Sequence, residues 1–235
     1  MASMINHSCF KNVHRSFIGD LQIVRATCDI PADTELTFWY NIPTGESSQM
    51  QKGLETWGFQ CDCAICIDSK DTAKNLSKKR NNFLKDLEAI LSANNIDTAK
   101  AERLVASIDK TYKKPPTQVP RLVLHNPYLK LAAVYAKRQV AEKAVSMALK
   151  ALECLGFVIK GAHLPALSSE RFEVEKWGVM MDGVVFAWIH LCNAYTTFAP
   201  HLLQQAAGCA NLAHKIYIGE DVTFEQLHGE LVQHL

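Results

Sequence analysis

Three cysteines lie within six consecutive residues of this chain, at Cys61, Cys63 and Cys66. Their thiolates can all face one ion, because so short a loop reverses the chain direction around it. Zinc in structural sites takes four ligands, with sulfur at about 2.3 Å. The spacing therefore predicts a zinc site that needs one further ligand from elsewhere in the chain. The alternative, a set of unrelated buried thiols, is disfavoured by the density of the cluster.

The fourth ligand has two candidates, Cys9 and Cys28. The remaining cysteines, Cys154, Cys192 and Cys209, fall in segments with helical hydrophobic spacing, where a thiol is commonly buried. No secretory signal precedes these residues, and cysteines outside the secretory pathway favour metal binding over disulfides. From the residues alone, both candidates stay open.

Three more segments carry polar and aromatic side chains that can line a binding site. They read Asn-His-Ser-Cys at 6–9, Glu-Leu-Thr-Phe-Trp-Tyr at 35–40 and Trp-Gly-Phe-Gln at 57–60, directly before the cysteine cluster. Each has an ordinary structural explanation when taken alone. Tyr40 can be a strand tyrosine with its ring in the core, and Asn6 can be a turn residue.

Taken together, in this order and spacing, the segments resemble the SET-domain protein-lysine methyltransferases. The nearest branch carries a C-terminal helical repeat domain and is related to the SET-plus-MYND enzymes. The resemblance implies S-adenosyl-L-methionine as methyl donor, structural Zn²⁺ with Cys9 as its fourth ligand, and Tyr40 as the catalytic residue. It also implies a protein substrate, histone or non-histone, with a target lysine. The residues that it implies for cofactor binding are Asn6, His7, Trp57 and Phe59.

The chemistry of this family explains why such residues are needed. Methyl transfer from a sulfonium to an amine is an in-line displacement, so the alignment of the reacting atoms supplies much of the acceleration. The substrate lysine must be neutral, although its ordinary pKa is about 10.4. An apolar channel and the adjacent sulfonium charge both disfavour the ammonium form. The Tyr40 hydroxyl would orient the amine.

The resemblance covers about the first third of the chain and begins in the middle of the domain. The family's glycine-rich cofactor loop and first strands have no counterpart before Asn6, and Lys11 stands where the family commonly has proline. We therefore expect an N-terminally truncated site that lacks half of the cofactor pocket and most of the lysine channel. Such a chain would be weakly active or inactive by itself. The alternative function is a non-enzymatic, zinc-stabilised protein-interaction module that uses its helical array.

Two segments before Asp68 have the composition of short strands, 21–26 and 35–40, with a turn at 31–33 between them. After Asp68 the hydrophobic spacing becomes helical. The predicted helices cover 76–91, 98–110, 128–137, 140–155, 178–195 and 202–218, with a break at 113–117.

These elements predict an α+β fold. A small, β-rich and loop-rich partial SET and post-SET zinc-binding lobe over 1–68 precedes an all-α domain over 69–235. Small residues at helical spacing make the second domain similar to tetratricopeptide-type repeats, and an ordinary helical bundle is the alternative. A protein partner of the helical domain follows from this prediction.

The bulk composition excludes some classes of function. The chain has 235 residues, 48% of them hydrophobic, and a net charge of +1, so we expect a packed core and no direct nucleic-acid binding. Its most apolar stretch, 178–192, is interrupted by Asp182 and His190 and is shorter than the ~20 residues of a membrane span. We expect a soluble, intracellular protein of the nucleus or cytoplasm that has no membrane partner.

Overall fold

The computed structural model describes residues 2–43, 47–166 and 171–230. It confirms the α+β class, with small two-stranded sheets and a largely helical C-terminal region. The strands are β1 Asn6–His7, β2 Val13–Ile18, β3 Leu21–Ala26, β4 Thr37–Phe38, β5 Val158–Lys160 and β6 Glu173–Lys176. The helices are α1 Ser47–Leu54, α2 Ala64–Asp71, α3 Lys74–Leu91, α4 Thr98–Asp109, α5 Leu122–Lys137, α6 Ala141–Glu153, α7 Gly183–Phe198, α8 Pro200–Ile218 and α9 Phe224–His228.

The N-terminal part combines an antiparallel hairpin with a short parallel pair. Strands β2 and β3 pair from Val13 opposite Ala26 to Ile18 opposite Leu21, so the strand predicted at 21–26 is confirmed. The strand predicted at 35–40 is too long, since only the two residues of β4 pair, in parallel, with β1. Strand β1 consists only of Asn6 and His7, so the other residues of the strand predicted at 35–40 have no partner in it.

Six predicted helices are confirmed, and two of their starts are wrong. Helix α5 begins at Leu122 rather than at 128. The burial of Leu122 and Leu124 stabilises the helical residues that precede Pro127. Helix α7 begins at Gly183, where the side chain of Asp182 accepts a hydrogen bond from the Gly183 N–H at 2.8 Å. Residues 178–182 are not helical.

Seven of these strands and helices were not predicted from the sequence. They are β1, β2, α1, α2, the antiparallel hairpin of β5 and β6, and α9. Helix α2 runs across the expected boundary near Asp68, and the division into domains at that point stays a prediction.

The helices share one apolar core, and the β2–β3 hairpin packs against it. Helix α5 packs on α6 and α7 on α8, around fully buried Trp188 and Tyr195. The hairpin contacts α8 and the residue that caps it: the His14 ring stacks on Tyr217 at 4.7 Å between centroids, and the Arg25 guanidinium donates to the Gly219 carbonyl at 2.9 Å. Within the described ranges, no helix combines the length and apolar character that crossing a bilayer requires.

Candidate zinc centre and active site

The structure brings Cys9 to the three clustered cysteines. The Sγ atoms of Cys9, Cys61, Cys63 and Cys66 all lie within 4.8 Å of one another. Cys9 Sγ is 3.6 Å from that of Cys66 and 4.0 Å from that of Cys61. Four sulfurs at tetrahedral corners, each about 2.3 Å from zinc, stand about 3.8 Å apart. The donor set and its spacing therefore fit a structural zinc ion, and Cys28 lies outside the cluster.

Local structure explains how the four thiols meet. Cys9 lies two residues after the end of β1, and the Trp39 indole N–H donates to the Cys9 carbonyl at 3.0 Å. Gly58 adopts a left-handed conformation (φ +73°), which turns the chain into the segment before Cys61. Cys63 caps the N-terminus of α2, whose first turn carries Cys66. Two loops and a helix start thus converge on one point.

Hydrogen bonds among the thiols shift their acidities in opposite directions. A hydrogen bond with Cys63 lowers the pKa of Cys61, whereas a hydrogen bond with Cys61 raises the pKa of Cys9. The cluster thus stabilises a thiolate among thiol donors. Zinc binds thiolates, so its binding would release the remaining protons.

His7 connects the cysteine cluster to Tyr40. The Tyr40 backbone N–H donates to His7 Nδ1 at 3.1 Å, so this nitrogen is unprotonated and the ring proton is on Nε2. His7 Nε2 lies 3.4 Å from Cys9 Sγ and is therefore assigned as the donor to this sulfur. Such hydrogen bonds to metal ligands orient the ligand and tune its basicity.

We therefore expect His7→Phe to weaken zinc binding about tenfold, the lower end of the effect of losing an outer-shell partner. The substitution keeps an aromatic ring but removes the hydrogen bonds to Tyr40 and Cys9. Zinc affinity is measured by competition with a chromophoric chelator. His201→Phe at an exposed position of α8 is the matched control. Equal zinc affinity in the two variants would show that His7 does not contribute to the metal site.

Tyr40 is the centre of an aromatic cluster. Its ring lies 5.5 Å from that of His7, 4.7 Å from that of Trp57 and 6.0 Å from that of Phe59, between centroids. Its hydroxyl donates to the Ile5 carbonyl at 3.0 Å. Trp57 is 58% exposed, so the cluster is open to ligands. Aromatic faces attract cations, including ligand cations, and this set fits a sulfonium or an alkylammonium group.

Asn6 lies outside this aromatic cluster. Its side-chain amide donates to Glu35 Oε1 at 2.6 Å. Asn12, in the same motif, donates to the Glu35 carbonyl at 2.8 Å and accepts from the Thr37 N–H at 2.8 Å. Both side chains thus hold β1 and the following loop against β4. Cofactor binding by Asn6 stays a prediction.

The space beside His7 is small. A cavity of about 30 Å³ lies between His7, Cys9 and α1, far below the roughly 300–1,000 Å³ of typical ligand pockets. A nucleoside does not fit there.

Two residues near Tyr40 had no role in the sequence-based predictions. Trp39 holds the Cys9 carbonyl, as described above. Lys11 is buried with its Nζ 3.9 Å from the centroid of the Trp39 ring. Burial, and then the charge of Arg15, lowers the pKa of Lys11 to about 7. The only signal in the sequence was lysine at a position where the family commonly has proline.

Comparisons with known proteins agree with the motifs. Residues 1–41 match the family model of the SET domain. The chain is 38% identical over 231 residues to a protein of Gibberella zeae named methyltransferase, an alignment that covers 97% of this chain and 32% of that protein. It is 39% identical over 67 residues to histone-lysine N-methyltransferase ASHR1 of Arabidopsis thaliana, which covers 28% of this chain and 14% of the relative.

These matches confirm the resemblance to SET-domain lysine methyltransferases that the motifs indicated. The chain spans about a third of the length of the fungal relative and a smaller share of the plant relative. The similarity to the fungal protein extends over the helical region as well as over the SET segment.

Proposed function

We propose that this chain, whose residues 1–41 are SET-domain sequence, is part of an S-adenosyl-L-methionine-dependent protein-lysine N-methyltransferase. The observation that carries the proposal is the convergence of Cys9 with the three cysteines 52 to 57 residues away, beside an aromatic cluster centred on Tyr40. His7 joins the two sites through one hydrogen bond on each side. A zinc site alone does not require this cluster, whereas a methyltransferase would use aromatic faces beside its cationic methyl donor and the substrate amine.

The residues of the site have distinct tasks in the proposed reaction. When bound, S-adenosyl-L-methionine supplies an electrophilic methyl group on a positively charged sulfur. The Tyr40 hydroxyl donates its hydrogen bond to the Ile5 carbonyl. Its oxygen can therefore accept a hydrogen bond from a lysine amine N–H. This hydrogen bond would orient the amine lone pair, and orientation is a large part of the catalytic effect. The rings of Trp57 and Phe59 would exclude water from the amine.

Zinc would have a structural task. Bound by Cys9, Cys61, Cys63 and Cys66, it would link the segment after β1 to the start of α2. Trp57 and Phe59 lie just before this link, so zinc would fix their rings relative to Tyr40. Four thiolates would fill a tetrahedral zinc site, so no ligand position would remain open for catalysis.

Calorimetric titration with S-adenosyl-L-methionine, on protein of measured zinc content, tests the proposal. Saturable binding to protein with one zinc per chain is the expected result. Protein that holds zinc and shows no heat with the cofactor would overturn the proposal for this chain. A chelated sample is the control, since loss of zinc should abolish cofactor binding.

Tyr40→Phe is expected to lower methyl transfer about 100-fold, which is the effect of losing one well-placed hydrogen-bonding group from a transition state. The ring contacts with Trp57 and Phe59 are kept, so zinc content and cofactor affinity should not change. Methylation is followed by mass spectrometry on histones and on a non-histone protein mixture. An unaffected rate would contradict the catalytic role of Tyr40.

The substrate class is part of the proposal. The printed name of the plant relative specifies histone lysine, so histones are the first substrates to assay. Non-histone proteins are equally compatible with the site, because the described residues near Tyr40 would contact the lysine side chain rather than a particular protein.

A second candidate is a zinc-stabilised protein-interaction module. The observation in its favour is a cleft of about 680 Å³ between the α5–α6 connection and α7, lined by His190, Thr197 and exposed Phe198. Helical arrays bind partners along such concave faces. The titration described above separates the two functions, because the module requires zinc but no cofactor.

A further inference from the structure

Tyr40 also lines a second pocket, and several side chains of that lining are basic. It has a volume of about 170 Å³. Its lining consists of three basic side chains and a set of mostly aromatic neighbours: Lys11, His14, Arg15, Phe38, Trp39, Tyr40 and Ile42. Among the residues that the structure describes, no carboxylate contributes to this lining.

Lys11 is buried, and no described residue supplies a counter-charge to it. Its side chain is 3% exposed, its Nζ lies over the Trp39 ring, and its hydrogen-bond partner is His14 Nδ1. Among the described residues it forms no ion pair. Buried cations are ordinarily paired, because desolvation of a lone charge is costly. Elsewhere in this chain the rule holds, since buried Arg121 pairs with Asp109 at 2.8 Å.

Arg15 adds a second cation to the same wall. Its guanidinium lies 4.7 Å from the centroid of the Phe38 ring. In the part of the chain that the structure describes, it too has no acidic partner. Two cations at one pocket repel each other. An anion between them would relieve this repulsion and would supply a counter-charge to Lys11.

We propose that this pocket receives the side-chain carboxylate of a glutamate or aspartate in the protein substrate, so that a target lysine with an acidic neighbour is preferred. The inference rests on the proposed function. Tyr40 lines the pocket, so a peptide whose lysine is at Tyr40 would have neighbouring residues close to it. The rings of Phe38 and Trp39 suit the methylene groups of such a side chain, and the basic groups suit its carboxylate.

Matched peptides provide the test. Each carries one lysine and a single Glu at one of the three positions on either side, and its control has Gln at that position. Binding to the zinc-loaded chain is followed by NMR at the Trp39 indole N–H, which Trp39→Phe identifies. We expect at least one Glu peptide to bind about tenfold more tightly than its Gln control, the effect of one charge-assisted contact.

Two variants locate the preference. Lys11→Met keeps an unbranched chain against the Trp39 ring and removes the charge, and Arg15→Gln changes a half-buried position. Both should reduce the Glu preference to below about twofold. Lys79→Met is the matched control, because its ammonium also lies over an aromatic ring, 5.5 Å from the centroid of Phe83, away from this pocket. Should Lys11→Met fail to fold by circular dichroism, Arg15→Gln decides.

The outcomes separate this inference from the proposed function. Equal binding of Glu and Gln peptides overturns the subsite, and so does a preference that both pocket variants retain. A shift of the Trp39 signal by inorganic phosphate with equal peptide affinities also overturns it, since it would show a site for free anions only. Methylation assays on the same peptides test the reaction: bound peptides that are never methylated overturn the proposed function instead.

Discussion

Replacing Cys66 with serine is expected to eliminate zinc binding and to unfold the N-terminal part of the chain. Cys66 is fully buried, and its Sγ lies 3.6 Å from that of Cys9. A hydroxyl is a poor zinc ligand and has a shorter reach than a thiolate, so only three ligands would remain. Structural zinc contributes about 10–16 kcal/mol of apparent binding free energy in small zinc-dependent peptides. The loss of one thiolate should remove several kcal/mol of this.

The measurement combines zinc content with two regions of circular dichroism. Zinc should fall from one per chain to a small fraction, and the near-ultraviolet signal of Trp39 and Trp57 should decrease. The helical signal should largely remain, because α5 to α8 pack mainly on one another. A chelator added to the unchanged protein should reproduce the same pattern.

Cys209→Ser is the matched control. This half-buried thiol lies in α8, away from the cluster, and burial raises its pKa to about 12. The control should keep its zinc. If Cys66→Ser also keeps one zinc per chain, the four-thiol site is wrong.

The sequence predicted the local part of this site and not its connections. Three cysteines within six residues indicate a metal whatever the fold, since the loop itself brings them together. Cys9 is separated from Cys61 by 52 residues, and its place followed from the resemblance rather than from spacing. The hydrogen bonds of His7 and the burial of Lys11 depend on how β1, β4 and the following loop pack. No local pattern specifies such packing.

The fold was predictable to a similar extent. Long amphipathic helices follow from hydrophobic spacing, and α3 and α4 were placed to within two residues of their bounds. The β5–β6 hairpin was missed because its second strand is mostly exposed and charged, so it shows no apolar alternation. The start of α5 was missed because Pro127 is a helix-breaking residue in isolation. Tertiary burial of Leu124 outweighs that preference.

Gly178 joins the hairpin to the helical core in a way that leaves no room for a side chain. It lies two residues after β6, beside the turn that follows α6. A methyl group at this position would stand 2.5 Å from the Leu155 carbonyl oxygen and 2.7 Å from the Phe157 backbone nitrogen. Both atoms belong to the backbone, and the Leu155 carbonyl also accepts a hydrogen bond from Val179 at 2.9 Å. The obstruction therefore cannot be relieved by rotating a side chain.

Gly178→Ala is accordingly expected to lower the free energy of unfolding by about 3 kcal/mol, the upper part of the range for overpacking. For a chain of this size, that corresponds to a fall in Tm of roughly 6–12 °C.

Gly208→Ala is the control, because Gly208 lies inside α8 with no atom near its potential Cβ. There, alanine should raise stability by up to about 1 kcal/mol through its helix propensity. Thermal unfolding followed by helical circular dichroism measures both changes. Because Gly178 contacts the turn after α6 and none of the four clustered cysteines, zinc content should stay unchanged in both variants. Changes of the same sign in the two variants would contradict the close packing at Gly178, whereas opposite signs would show that backbone contact, rather than the loss of glycine itself, sets the result.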